Sequence, residues 1–266
     1  MCEMKFGLAT VDITPPIGVR LWGYNPRRPS ESVGHRLRAE ALACEGATGG
    51  WILICADMGG FSWPLTSRVR ADIAQRTGLP AEAVMIAATH THSGPCAADA
   101  LWCEYSDTES AYFRALRVRL ADVAERAWRS RYAGTLLYAQ TAAPELGSNR
   151  RVQTADSKWV NAWSDPEGKN RGPFDAGVDL VGVRREDGTL DALLVNYGCH
   201  PVCFGPGNRA ISGDYVSYLK DALEQHGDAR TVLFTVSGHA NIDPRKGVQN
   251  DLEVVCRMGQ GLAGIV

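Results

Sequence analysis

The stretch Ala87-Ala88-Thr89-His90-Thr91-His92-Ser93-Gly94-Pro95 sets two imidazoles one residue apart, directly after the apolar run Ala83 to Ala88. That run has the length and composition of a strand buried on both faces. On extended backbone, residues two apart point to the same side, whereas on a helix they point ~200° apart. His90 and His92 therefore face one pocket if the chain here is strand or loop; the alternative is a polar start to a surface loop. Three other apolar runs also end in polar groups. Trp51 to Ala56 ends in Asp57, Leu193 to Tyr197 in His200, and Thr231 to Val236 in His239, Asn241 and Asp243. In sheets with helices packed on them, sites collect at strand ends, where rigid backbone holds the side chains and loops leave room for a ligand. One shared pocket is the economical reading. Two or three neutral imidazoles with carboxylates suit zinc, which in catalytic sites keeps one position open and activates water toward a carbonyl.

Other readings exist for each of these residues. Cys199 and Cys203 flank His200 and would allow a thiolate site, but their spacing fits no zinc-ribbon pattern and core cysteine is the default. A nucleophile at Cys96 needs a neighbouring base that the sequence does not locate. Asp57 also fits a turn cap, and Asp214, after Ser212 and Gly213, reads as a helix N-cap rather than an acid. His226 reads as a solvated or C-terminal capping residue. His35 precedes a strand with no local signal either way.

The elements that would carry these groups are readable from periodicity. Phe6 to Val11 is an opening strand, and Leu37 to Cys44 forms a hairpin with Trp51 to Ala56 through a glycine-rich turn. Ser62, Pro64 and the spacing of Leu65, Val69 and Ile73 predict a helix stopped at Gly78. Phe113, Leu116, Leu120, Val123 and Ala127 mark a second helix whose apolar stripe must lie on a sheet. Ser148 to Gly177 is polar and without period, so it is expected to be a long functional excursion over the pocket, with Trp159, Trp163 and Phe174 as candidate lining. Leu180 to Arg184 and Leu190 to Tyr197 form a second hairpin. Asp214 to His226 is helical, Thr231 to Val236 a buried strand, and Asp251 opens a last helical pattern. No sequence repeat or linker divides the chain.

Composition narrows the partners. The 266 residues are 45% hydrophobic and 22% charged, and 28 basic against 30 acidic residues give a net charge of -2. There is no basic stripe and no apolar span, so nucleic acid and transmembrane roles are not expected. The N-terminus shows no apolar signal region, so the expected location is cytoplasmic. Eight scattered cysteines read as reduced core residues rather than a disulfide framework.

Taken in order, "FGLATVDITPP" with "WGY", "ICADMGG", "AATHTHSGP", "SNRR", "ISGDY" and "SGHANIDPR" resemble the catalytic N-terminal domain of the neutral/alkaline non-lysosomal ceramidases. The histidine motif is the most specific of the six. The resemblance implies that His90 and His200 bind zinc, that His92 faces the substrate or its oxyanion, and that Arg150 contacts substrate. It also implies hydrolysis of the ceramide amide to sphingosine and fatty acid. Two departures stand out. Asp243 occupies the place of a family serine with a catalytic role, and the family completes its zinc site with a Glu and a Tyr from further downstream. The chain thus reads as one ceramidase-like N-terminal domain over residues 1–266, either a C-terminally incomplete part of a longer protein or a shortened relative whose zinc site is completed by Asp57, Asp243, His92 or water.

The expectation is an α/β domain, a mixed sheet flanked by helices, acting as a zinc-dependent amidohydrolase on a small or lipid-like amide. His90 and His200 hold the metal, His92 and Asp243 do the chemistry, and Arg150, His35 and Asp57 contribute to the substrate site. The rivals are a ligand-binding member without catalysis, and a zinc hydrolase acting on an ester, a lactone, a peptide-like amide or another non-ceramide substrate.

Overall fold

The computed structural model describes residues 4–25, 27–97, 104–170 and 172–266. Cys2 and Cys103 lie outside them; the six described cysteines are free thiols, five of them buried. Eight strands form one mixed sheet. They are β1 (Lys5–Asp12), β2 (Arg38–Gly46), β3 (Gly49–Ala56), β4 (Val84–Ala88), β5 (Tyr132–Ala142), β6 (Gly177–Arg185), β7 (Leu190–Tyr197) and β8 (Thr231–Val236). Among the described residues, four α-helices accompany them: α1 (Trp63–Thr77), α2 (Asp107–Arg129), α3 (Tyr215–Gln225) and α4 (Leu252–Ala263).

The strand order is β8-β7-β6-β5-β1-β2-β3-β4, and it hides a duplication of topology. Each half is an antiparallel run of three strands, a helix, and a fourth strand parallel to the third: β1-β2-β3-α1-β4-α2, then β5-β6-β7-α3-β8-α4. Among the described residues, the halves join through two residue pairs, Lys5 with Ala133 and Phe6 with Tyr132. So narrow a joint lets the sheet double back on itself. Phe6, Leu42, Cys44, Leu53 and Cys55 of the first half share an apolar cluster with Val183, Ala192 and Leu233 of the second. The outer face of the first half is covered by α1 and α2, and that of the second by α3 and α4. Four layers result, with the apolar residues of each strand alternating between the inter-sheet core and the helix side.

Local chemistry explains the helices. α1 begins at Ser62, whose hydroxyl accepts from the Leu65 N–H, and ends where Gly78 takes a left-handed φ of 77°, as helix ends favour. α2 opens with a reciprocal capping box between Ser106 and Glu109. Its stripe Leu116, Leu120, Val123 and Ala127 is fully buried, worth about 2 kcal/mol for each leucine.

Two expectations need correction, and one strand gives no sequence signal. β4 is the edge of the sheet rather than a strand buried on both faces, and Met85 is 58% exposed; an apolar run alone does not reveal which strand lacks an outer neighbour. β5 was not legible as a strand at all. It lies between β1 and β6 in the sheet, yet its side chains are mostly exposed or half-buried, so no period marks it. The excursion Ser148 to Gly177 contains short strands, Arg151–Gln153 pairing with Trp159–Asn161. Among the aromatics expected to line the pocket, Trp159 is 60% exposed and Phe174 packs on the second half's core; only Trp163 reaches the cavity.

Candidate active site

Doubling the sheet brings the ends of β4, β7 and β8 together. His90 follows β4 and His200 follows β7, while His239 lies in the turn after β8. One ligand atom from each falls within 4.8 Å of the others. Ring centroids are 5.1 Å apart for His90 and His200, 4.8 Å for His90 and His239, and 4.4 Å for His200 and His239. His92 completes a group of four imidazoles, with its centroid 5.3 Å from those of both His90 and His200.

Backbone carbonyls orient the three clustered rings. Nδ1 of His200 donates to the carbonyl of His239 at 3.0 Å, Nδ1 of His239 to the carbonyl of Ser237 at 2.7 Å, and a ring nitrogen of His90 to the carbonyl of Gly59. Each bond fixes the proton on one nitrogen and leaves the other unprotonated, which is the tautomer control that metal-ligating histidines need. Electrostatics favour the same state. Burial lowers the pKa of all three, helped for His90 and His200 by their imidazole neighbours, and His200 falls to about 3. At neutral pH these are neutral nitrogen donors, and the donor set fits zinc.

His90 carries backbone strain, with φ at 70°, a region uncommon for a residue other than glycine. Its N–H bonds the carbonyl of Met58 at 2.9 Å, so the turn after β3 holds both its backbone and its ring. Gly23, at φ +92°, presses against His92; a Cβ there would sit 2.1 Å from the imidazole Cγ and Nδ1. This close approach needs glycine on both counts.

His90, His92 and His200 open into a cavity of about 480 Å³ walled by Trp22, Tyr24, Trp163, Arg150, Val202 and Asp243, among others. Arg150 stacks over Trp163 at 4.7 Å and donates to the Asp243 carboxylate at 3.2 and 3.4 Å. Asp243 Oδ1 lies 3.5 Å from Nδ1 of His200, and burial, opposed by Arg150, raises its carboxyl to about 6. Nδ1 of His92 and Nε1 of Trp22 are buried without a hydrogen-bond partner.

Of the residues expected at the site, His90, His200, His92, Arg150 and Asp243 are brought together. Asp57 and His35 are not among the residues that wall the cavity. Asp57 is buried against Lys220 at 2.9 Å, and His35 contacts Asp221 at 3.2 Å and the edge of Tyr218. Both lie close in sequence to β2 or β3, but their side chains meet α3. Asp214 is the N-cap of α3 and His226 its C-cap residue. His239, read only as one of several polar groups after β8, joins the histidine cluster that could hold a metal, and Trp22 and Tyr24 enter the wall from the "WGY" segment, where sequence alone gave no sign of proximity.

The family model described as "Neutral/alkaline non-lysosomal ceramidase, N-terminal" matches residues 4–249. A crystal structure of neutral ceramidase from Pseudomonas aeruginosa is similar in fold, with a TM-score of 0.79 at 20% identity over 100% of this chain and 44% of that one. A structure of a ceramidase complexed with C2 gives a TM-score of 0.80 at 20% identity, over 100% of this chain and 43% of that one. The chain therefore spans less than half the length of these two proteins. No curated protein matches it in sequence. With the matched segment covering nearly all of its length, the chain belongs to the neutral/alkaline non-lysosomal ceramidase family, in the part described as N-terminal.

Proposed function

We propose that this chain is a zinc-dependent hydrolase of a linear N-acyl amide, with the metal held by His90, His200 and His239. The observation that carries this reading is the convergence of three neutral imidazoles, each with one nitrogen tied to a backbone carbonyl and the other left free, two of which, His90 and His200, line one cavity. Zinc in such a donor set supplies Lewis acidity toward a carbonyl oxygen and acidifies water. His92, buried beside the cluster with an unpartnered ring nitrogen, would donate a hydrogen bond to the oxygen on which charge develops. Asp243 would accept the proton of the attacking water and return it to the leaving amine, a role that a carboxyl raised to about 6 suits near neutral pH. Arg150, braced by Asp243 and Trp163, would orient the substrate, with Trp22, Tyr24 and Trp163 covering its apolar part. Membership of the family and the likeness in fold to a ceramidase complexed with C2 support a lipid-like amide.

The test is zinc stoichiometry of the chain after chelation and re-addition, together with hydrolysis of a panel of N-acyl amides and the corresponding esters. One zinc per chain and amide turnover that disappears in His90→Ala support the reading. Zinc binding without any turnover would leave a ligand-binding member of the family, and turnover of esters alone would reassign the bond cleaved.

A further inference from the structure

Among the described residues, a buried charged network runs from α3 to Asp57 at the start of the turn that holds His90, and it belongs to none of the groups that wall the cavity. Lys220 of α3 is fully buried, as are Glu40 of β2 and Asp57 at the end of β3. The Lys220 ammonium donates to both Glu40 oxygens at 3.0 Å and to Oδ1 of Asp57 at 2.9 Å. Oδ2 of Asp57 accepts the Arg38 N–H at 3.0 Å, and the Arg38 side chain bridges Glu40 at 3.2 Å and Glu224 of α3 at 2.7 Å. Burying three charges in this way is weak support for stability, because apolar residues of the same volume often stabilise as much or more. What the network does do is fix geometry.

Its position explains which geometry. Asp57 begins the turn whose next two residues hold His90: Met58 accepts the His90 N–H and Gly59 accepts its ring N–H. His90 sits at φ 70°, a conformation that persists only where the surroundings over-determine it. At its N-terminus, α3 is tied to the His200 segment, since the Asp214 carboxylate accepts the N–H groups of Cys203 at 3.0 Å and Phe204 at 2.9 Å. One helix thus grips two of the three ligand-bearing segments, those of His90 and His200, one from each half of the doubled sheet. We propose that Lys220 is a positioning residue that sets the spacing of His90 and His200 through Asp57, so that the metal site forms only when α3 locks the two half-sheets in register.

This inference rests on the zinc reading for one of its two tests and is independent of it for the other. The double variant Glu40→Gln/Lys220→Met removes one charge of each sign and frees Asp57 from its ammonium partner. Zinc affinity, measured by competition with a chelator, is expected to fall about 10- to 100-fold, the range seen when groups that orient ligands are removed. Glu40→Gln alone keeps the bond from Lys220 to Asp57 and is expected to stay within about 3-fold of the parent. In the metal-free protein, exchange of the His90 amide hydrogen is expected to accelerate about 10-fold in the double variant relative to amides in the middle of β2. Should the double variant fail to fold, Asp57→Asn, which keeps the shape but not the ion pair, is read in the same two ways. A folded variant with unchanged zinc affinity and unchanged His90 exchange overturns the proposal, as does an equal loss in Glu40→Gln. If the parent chain binds no zinc, the zinc reading fails while the exchange measurement still decides the role of Lys220.

Discussion

Nδ1 of His200 lies 3.0 Å from the carbonyl oxygen of His239, so one residue of the histidine cluster fixes the ring of another through its own backbone. The turn after β8 thereby supplies an imidazole and also the acceptor that sets the tautomer of its neighbour. Substituting His239 with alanine removes the first contribution and keeps the second. His239→Ala is expected to weaken zinc binding by about 10²-fold or more, beyond the loss from an orienting group, with thermal stability close to that of the parent in the metal-free state. Chelator competition and thermal unfolding measure the two effects separately, and unchanged affinity would remove His239 from the ligand set.

Gly23 offers a way to disturb His92 without touching the metal. An added Cβ would collide with the His92 ring at 2.1 Å, and φ of +92° is itself unfavourable for alanine. Gly23→Ala is expected to destabilise the fold by ~1–3 kcal/mol. Zinc stoichiometry should remain at the parent value while hydrolysis falls sharply, because the displaced imidazole is the proposed hydrogen-bond donor rather than a ligand. Full activity in the variant would argue against that role for His92.

Asp243 separates a proton-transfer role from a purely structural one. Asp243→Asn keeps the size of the side chain and one acceptor toward Arg150 but no longer takes up a proton. Turnover is expected to fall about 10²- to 10⁴-fold with zinc content preserved. A variant that retains parental turnover would restrict Asp243 to bracing Arg150.

The wall loop carrying Trp22 should respond to acid through Glu109. Burial alone would raise this carboxyl, but hydrogen bonds from Arg20 and Ser106 outweigh it and hold Glu109 at about 2, below the usual 4.5. The folded-state pKa is therefore the lower one. The stabilisation is present above about pH 4.5 and is lost as pH falls toward 2. Glu109→Gln is expected to cost about 3 kcal/mol at pH 7 and little at pH 2, judged from the size of the shift. Chemical denaturation of both proteins across this range checks the sign; a gap that widens in acid would contradict it.

Much of the fold was legible locally. The helical stripe from Phe113 to Ala127, the cap at Ser62, the stop at Gly78 and the two hairpins follow from period and turn chemistry, which depend on neighbouring residues only. β5 was missed because most of its side chains are exposed or half-buried, so no apolar period marks the strand that links the two halves.

For the site, the sequence by itself determined which residue types stand at strand ends, that His90 and His92 are held close, and the six-motif resemblance to a family that the comparison then showed. Only the tertiary structure decided which of these ends meet. The two-pair joint between β1 and β5 lets the sheet fold over, and that long-range closure brings His239 to His90 and His200 while Asp57 faces Lys220 and His35 faces Asp221. Side chains at equivalent strand ends part company because each takes the nearest partner across the layers, and the identity of that partner depends on contacts more than 100 residues apart, such as Lys220 with Asp57, 163 positions away. No local period encodes such a contact.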